Sequence, residues 1–285
     1  MFGFFGNKKE KKQETAEHPE FIKLVERWDT FLSKMETRFN ESLIQAKEAL
    51  LDNLEESNYD IHPTLTAWHG IKAQLMAMGN KINTTYDEKV LPQMLNHKEH
   101  YQLLDQAAKG TYLREQVIHT KIERFEIEIE GEISIRFYNH AVHFLNKSFK
   151  CTQCGAKIEV RKDIFHAHYV TCDYCNTVNT FTPNDKITQI RWIVDNIAKY
   201  KALNEWDAMQ KTENELMNMC PPHKGQDNTA YKNAFEKREK ATRTFWTKYF
   251  TERAEYLPEY ADTIEHDVEV KMKWFYEERK RELGY

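Results

Sequence analysis

The chain is poor in helix breakers, with 9 glycines and 7 prolines among 285 residues, too few for a chain built of turns and consistent with long helices. It has no stretch near the roughly 20 apolar residues needed to cross a bilayer, and its start lacks the apolar core of a secretory signal. The sequence therefore predicts a soluble protein that is neither spanning nor exported by that route. Charge of one sign is also missing: 41 basic against 45 acidic residues give a net charge of −4, so no whole-chain field favours nucleic acid or an anionic membrane. Motifs that would name a reaction are absent. There is no Gly-rich phosphate loop, no Gly-x-Ser-x-Gly elbow and no His-Glu-x-x-His, and the lack of any Glu-x-x-His pair removes the signature of a di-iron carboxylate bundle.

What is present is a set of long apolar stripes. From His18 to about Ser57, residues such as Phe21, Leu24, Trp28, Leu32, Met35, Phe39, Leu50 and Leu54 recur every three or four positions, the spacing of one continuous helix. A second helix is expected after Pro63, ending or bending at Gly79-Asn80, and a third from Tyr86 to Ala108. Residues 125–137 carry two patterns at once. Phe125, Ile127, Ile129, Ile133 and Ile135 alternate around Glu130-Gly131-Glu132 as in a β-hairpin, while Ile122, Phe125, Ile129, Ile133, Phe137 and Ala141 continue a helical stripe. The stripe outruns the alternation at both ends and favours a helix; the hairpin stays open. Further helices are expected over 185–219, 231–256 and 259–283, with Trp246, Tyr249, Phe250, Trp274, Phe275 and Tyr276 as bundle core or interface anchors.

Between 149 and 182 the texture changes. Cys151-x-x-Cys154 and Cys172-x-x-Cys175, seventeen residues apart, hold four of the five cysteines at the spacing of a tetrahedral zinc site. Short β-like runs at 157–160, 165–170 and 177–181 lie around them. The residue after each second cysteine, Gly155 or Asn176, is of a type that tolerates positive φ, as a turn wrapped around a metal requires. This segment resembles the zinc-ribbon family at Cys151, Cys154, Cys172 and Cys175. The resemblance implies a zinc-stabilised three-stranded module and no particular activity. Four thiolates fill a tetrahedral shell, so one structural Zn2+ per chain is expected. Iron held by the four cysteines and a redox dithiol are the rival readings. Paired thiols kept for metal suit a reducing compartment, and the expected location is the cytoplasm.

Other constellations are weaker. Arg161, Lys162, Phe165, His166, His168 and Tyr169 form a candidate basic and aromatic nucleic-acid face. From 147 to 191 seven basic residues outnumber four acids, and a zinc tetrathiolate takes two charges back, leaving about +1. His97-x-x-His100, His140-x-x-His143 and Cys220-Pro-Pro-His223 have ligand types without enough partners. Glu115, Glu123, Glu126 and Glu130, with His119, read as a charged outer helix face. An apolar tip, Met1 to Phe5, followed by Lys8, Lys9, Lys11 and Lys12, makes residues 1–12 a candidate peripheral membrane foot within a flexible tail.

The expected fold is mainly α, an elongated helical bundle or coiled-coil-like stalk with an inserted three-stranded zinc ribbon. The expected organisation is a tail at 1–17, a helical region at 18–148, the ribbon at 149–182, and a second helical region at 183–285 packing on the first. The leading functional expectation is a non-catalytic scaffold or adaptor that binds other proteins, in a larger assembly or at a membrane. A nucleic-acid-binding factor and an enzyme with a scattered active site are the alternatives.

Overall fold

A computed structural model of the chain describes residues 19–96, 100–159, 164–183, 191–220 and 227–283. The tail at 1–17, the membrane-foot residues 1–12, and Arg161, Lys162, His97 and His223 lie outside the described residues.

The first stripe becomes α1, Pro19–Glu56, with Phe21, Trp28, Met35, Phe39, Leu50 and Leu54 buried along one side. It stops where Asn58 and Tyr59 take left-handed φ values of 53° and 63°, a conformation that cannot continue a right-handed helix. The Asp60 carboxylate then accepts the His62 N–H at 3.1 Å at the start of α2, Ile61–Thr85. Gly79-Asn80 does not end α2, which continues to Thr85. Gly79 instead brings the helix against Arg114 and Ile118, where a Cβ would sit 3.5 Å from each.

A π-helical turn at Tyr86–Val90 leads into α3, Leu91–Met94. Next come α4, His100–Tyr112, a second π-helical stretch at Leu113–His119, and α5, Thr120–Ser148. Residues 125–137 are thus helical, and the hairpin alternative falls. Ile122, Phe125, Ile129 and Ile133 are buried at helical spacing. Gly131, the turn residue of the hairpin alternative, is a contact residue, since a Cβ there would lie 2.2 Å from the Cβ of Tyr200.

Beyond the cysteine segment the chain forms α6, Ile193–Lys201, and α7, Leu203–Met217, separated by Ala202 at φ −99° and ψ 18°. After these come α8, Thr229–Ala254, a 3-10 segment at Pro258–Thr263 and α9, Ile264–Leu283. No helix among the described residues is long and apolar enough to cross a membrane.

Contacts divide the chain into two units, Met1–Ser42 with Ala73–Thr120, and Leu43–Lys72 with Lys121–Tyr285. The first unit centres on Trp28. Its ring stacks on Phe31 with centroids 5.4 Å apart and its Nε1 donates to the Gln106 carbonyl at 3.1 Å. The second unit buries Trp68 against Phe125 and joins α6 to α9 through Ala198, Trp206, Phe245, Tyr249, Phe250 and Phe275. Trp246 packs against that cluster, whereas Trp274 is 52% exposed.

Of the acids read as a charged outer face, Glu126 instead faces a neighbouring helix, as do Glu128 and Glu132. Glu126 pairs with Lys72 at 2.6 Å, and Lys47 lies 2.8 Å from Glu128 and 2.9 Å from Glu132. These carboxylates face neighbouring helices.

Candidate metal centre

The cysteine segment folds as two matching turns. In the first, Cys151 N–H donates to the Ala156 carbonyl at 2.7 Å and Gly155 N–H to the Cys151 carbonyl at 3.0 Å. In the second, Cys172 N–H donates to the Thr177 carbonyl and Asn176 N–H to the Cys172 carbonyl, both at 2.9 Å. Each turn closes through a left-handed residue, Gly155 at φ 73° and Asn176 at φ 57°. This is the conformation that those residue types admit most cheaply.

Two strands frame the turns, β1, His168–Thr171, and β2, Val178–Phe181. They pair antiparallel with His168 opposite Phe181 and Thr171 opposite Val178. The expected third strand at 157–160 does not form among the described residues. Only an isolated bridge between Lys150 and Lys157 marks its place. The bond from Ile158 N–H to the Phe149 carbonyl holds this stretch to the chain just before Cys151. The arrangement is a four-cysteine cluster beside a two-stranded hairpin.

The four Sγ atoms all lie within 4.8 Å of one another. Two cross-turn pairs are closer, Cys151 to Cys175 at 3.5 Å and Cys154 to Cys172 at 3.7 Å. A tetrahedron with metal–sulfur bonds of about 2.3 Å has sulfur–sulfur edges of about 3.8 Å, so the donors are spaced to hold one metal ion. Cys151 and Cys172 are buried, Cys175 is half-buried and Cys154 is exposed. Ile158, Phe149 and Val170 pack around the buried sulfurs, and Phe149 meets Phe181 edge-on at 5.6 Å.

The polar surroundings prepare the thiolates unequally. The Cys154 backbone N–H, opposed by burial and helped by the Gln153 N–H and the Asn179 amide, brings Cys151 down to about 6. The Thr177 hydroxyl and backbone N–H also lower Cys175. Cys154 moves the other way: the Ala156 N–H favours its thiolate, but crowding by the other sulfurs, Cys175 foremost, outweighs it. Four adjacent thiolates need a cation to coexist. No family model, curated protein or solved structure matches this chain.

Of the candidate nucleic-acid face, Phe165, His166, His168 and Tyr169 fall among the described residues. Phe165 is 3% exposed and packs against Tyr138 at 6.3 Å, so its ring has no face to offer a base. His166 Nε2 lies 3.1 Å from the Arg191 guanidinium and 3.5 Å from the Glu259 carboxylate. These contacts tie the segment before β1 to the helical body. The His168 ring lies 5.2 Å from Phe181, and Tyr169 is 79% exposed. Among the other candidates, His140 stacks on Tyr59 at 4.2 Å, His143 is exposed, and Cys220 is exposed.

The sequence reading missed the groups that surround the sulfurs. Asn179 is buried on β2 and reaches both turns, and the Thr177 hydroxyl oxygen lies 2.6 Å from Gln153 Oε1. Alternation along β2 offered one signal: with Phe181 turned inward, Asn179 two positions earlier shares its face.

Proposed function

We propose that this chain is a non-catalytic scaffold or adaptor of the cytoplasm, in which one structural Zn2+ fastens a ribbon module that docks on other proteins. Four sulfur donors leave no coordination position for water or substrate, so the ion would act as a fastener and not as a Lewis acid. One observation carries the protein-binding part. The hairpin turns His168, Val170, Asn179 and Phe181 toward the cluster, while the opposite face, Tyr169, Thr171, Val178 and Thr180, is exposed. Tyr174, between the second pair of cysteines, is 82% exposed. Tyrosines so placed offer apolar area with a polar tip, a common interface anchor. On α9, Val270 and Trp274 are 58% and 52% exposed, and serve in this reading as a helix-borne docking face. The elongated stalk expected from the long stripes belongs to the same proposal and would be read from small-angle scattering.

The test is affinity purification of the full chain at moderate and high salt. Protein partners should persist at high salt and be lost from a Tyr169→Ser/Tyr174→Ser variant that still carries its zinc. Nucleic acid that co-elutes and falls away steeply with salt would support the nucleic-acid reading instead. A chain that elutes alone would overturn the adaptor.

A further inference from the structure

We propose that Asn179 is the positioning residue of the metal centre, a single buried amide that locks the two cysteine turns together and sets how tightly the sulfurs hold zinc. The inference rests on reading the quartet as a zinc site. Asn179 is 3% exposed. Its Oδ1 accepts the Thr152 backbone N–H at 2.9 Å and the Thr152 hydroxyl at 3.0 Å, both from the first turn. Its Nδ2 donates to the Thr177 carbonyl at 3.0 Å, on the second turn, and to the Cys151 sulfur at 3.6 Å.

A backbone N–H can only donate, so the Thr152 contact decides which end of the amide is oxygen and leaves the nitrogen facing the sulfur. Two acceptor and two donor positions are then all used, which explains how a buried polar side chain is tolerated in a strand, where asparagine is disfavoured. The Thr177 carbonyl also receives the Cys172 N–H. One side chain therefore joins the backbone bond that closes the second turn to the first turn and to one of its sulfurs.

The consequence is electrostatic as well as geometric. Four thiolates around a divalent cation carry two excess negative charges, and a neutral N–H donor aimed at Cys151 drains part of that charge from a buried ligand. Aspartate in the same place would keep the shape and the oxygen that Thr152 needs, but would put another anion beside the sulfur. Asn179→Asp therefore separates the donor's charge from its bulk.

The experiment uses the full chain. Zinc affinity is measured by competition with a chromophoric chelator, and the sulfur-to-metal charge-transfer absorption is recorded after replacement by Co2+. Asn179→Leu and Asn179→Asp should weaken zinc binding by about 10–100-fold, the aspartate more. Asn179→Asp should also move the charge-transfer band to lower energy, because a sulfur without its N–H donor gives up an electron more easily. Thr152→Val removes one bond to Oδ1 but leaves the amide on the sulfur, so its band should stay in place. Asn179 variants that hold zinc within about threefold of the parent, or an unmoved band in Asn179→Asp, would overturn the inference. A parent chain that takes up no zinc would overturn the metal reading itself, and this inference with it.

Discussion

Gly131 of α5 meets Tyr200 of α6 with no space between them: a Cβ on Gly131 would lie 2.2 Å from the tyrosine Cβ and 2.7 Å from its Cγ. Neither atom is the far end of a flexible side chain, so the helices themselves would have to part.

Two glycines therefore predict opposite outcomes. Gly131→Ala should destabilise the chain by about 1–3 kcal/mol, the overpacking penalty exceeding the gain in helix propensity. Gly70 of α2 has nothing within 4 Å of its would-be Cβ, so Gly70→Ala should stabilise by about 0.5–1 kcal/mol. Denaturant unfolding followed by circular dichroism checks both. A Gly131→Ala protein as stable as the parent would contradict the close approach.

Arg238 is a buried cation between two acids. It pairs with Glu213 and lies 2.7 Å from Glu278, its side chain only 5% exposed. Its guanidinium sits 4.6 Å from the Phe275 ring centroid. Arg238→Met should lower stability by about 3–5 kcal/mol, because two carboxylates lose their counterion. Adding Glu213→Gln and Glu278→Gln to that variant should recover part of the loss, and failure to recover any would point to packing instead of charge.

Two acids on α5 should respond to pH in opposite senses. Burial, then the neighbouring Glu126, raises Glu130 above its ordinary 4.5, despite Lys199, His69 and Lys72. Its folded form thus favours the proton, and its contribution to stability falls as pH climbs from 4.5 through the raised value. Burial also pushes Glu132 upward, but Lys47 and Arg136 outweigh it and the net shift is below 4.5. Its contribution is present above 4.5 and lost as pH drops through the lowered value. Glu130→Gln should therefore stabilise the protein at neutral pH, and Glu132→Gln should destabilise it. Both differences should vanish in acid, as measured by urea midpoints across pH 3 to 7.

Metal removal should act locally. Stripping the ion with a chelator, or Cys154→Ser, withdraws binding energy on the order of 10–16 kcal/mol from a module too small to hold itself by a core. Limited proteolysis should then cut within 149–182 while helical circular dichroism changes little. A metal-free sample with unchanged cleavage would show that the hairpin needs no ion.

Legibility from sequence tracks how local each determinant is. The cysteine turns could be read because Cys151, Cys154 and Gly155, like Cys172, Cys175 and Asn176, fall within five consecutive residues and carry their own backbone requirement. The α1 stripe was equally plain, since a helix repeats its buried position every three or four residues. Residues 125–137 were ambiguous because acids separated by apolar residues satisfy either period. Lys47, which pairs with Glu128 and Glu132, and Lys72, which pairs with Glu126, decide that those acids lie between helices. The third ribbon strand is reduced to an isolated bridge between Lys150 and Lys157.

Chain order alone dictates a helical protein interrupted by four metal-ready sulfurs, because helix period and cysteine spacing are short-range properties of a covalent backbone. Packing assigned the rest: Gly131 as a contact and not a turn, Arg238 as a buried cation, and Asn179, bonded to Thr152 27 residues away, as the link between the cysteine turns. Each of those roles depends on a partner distant along the chain, and such a partner is defined only once the elements have met.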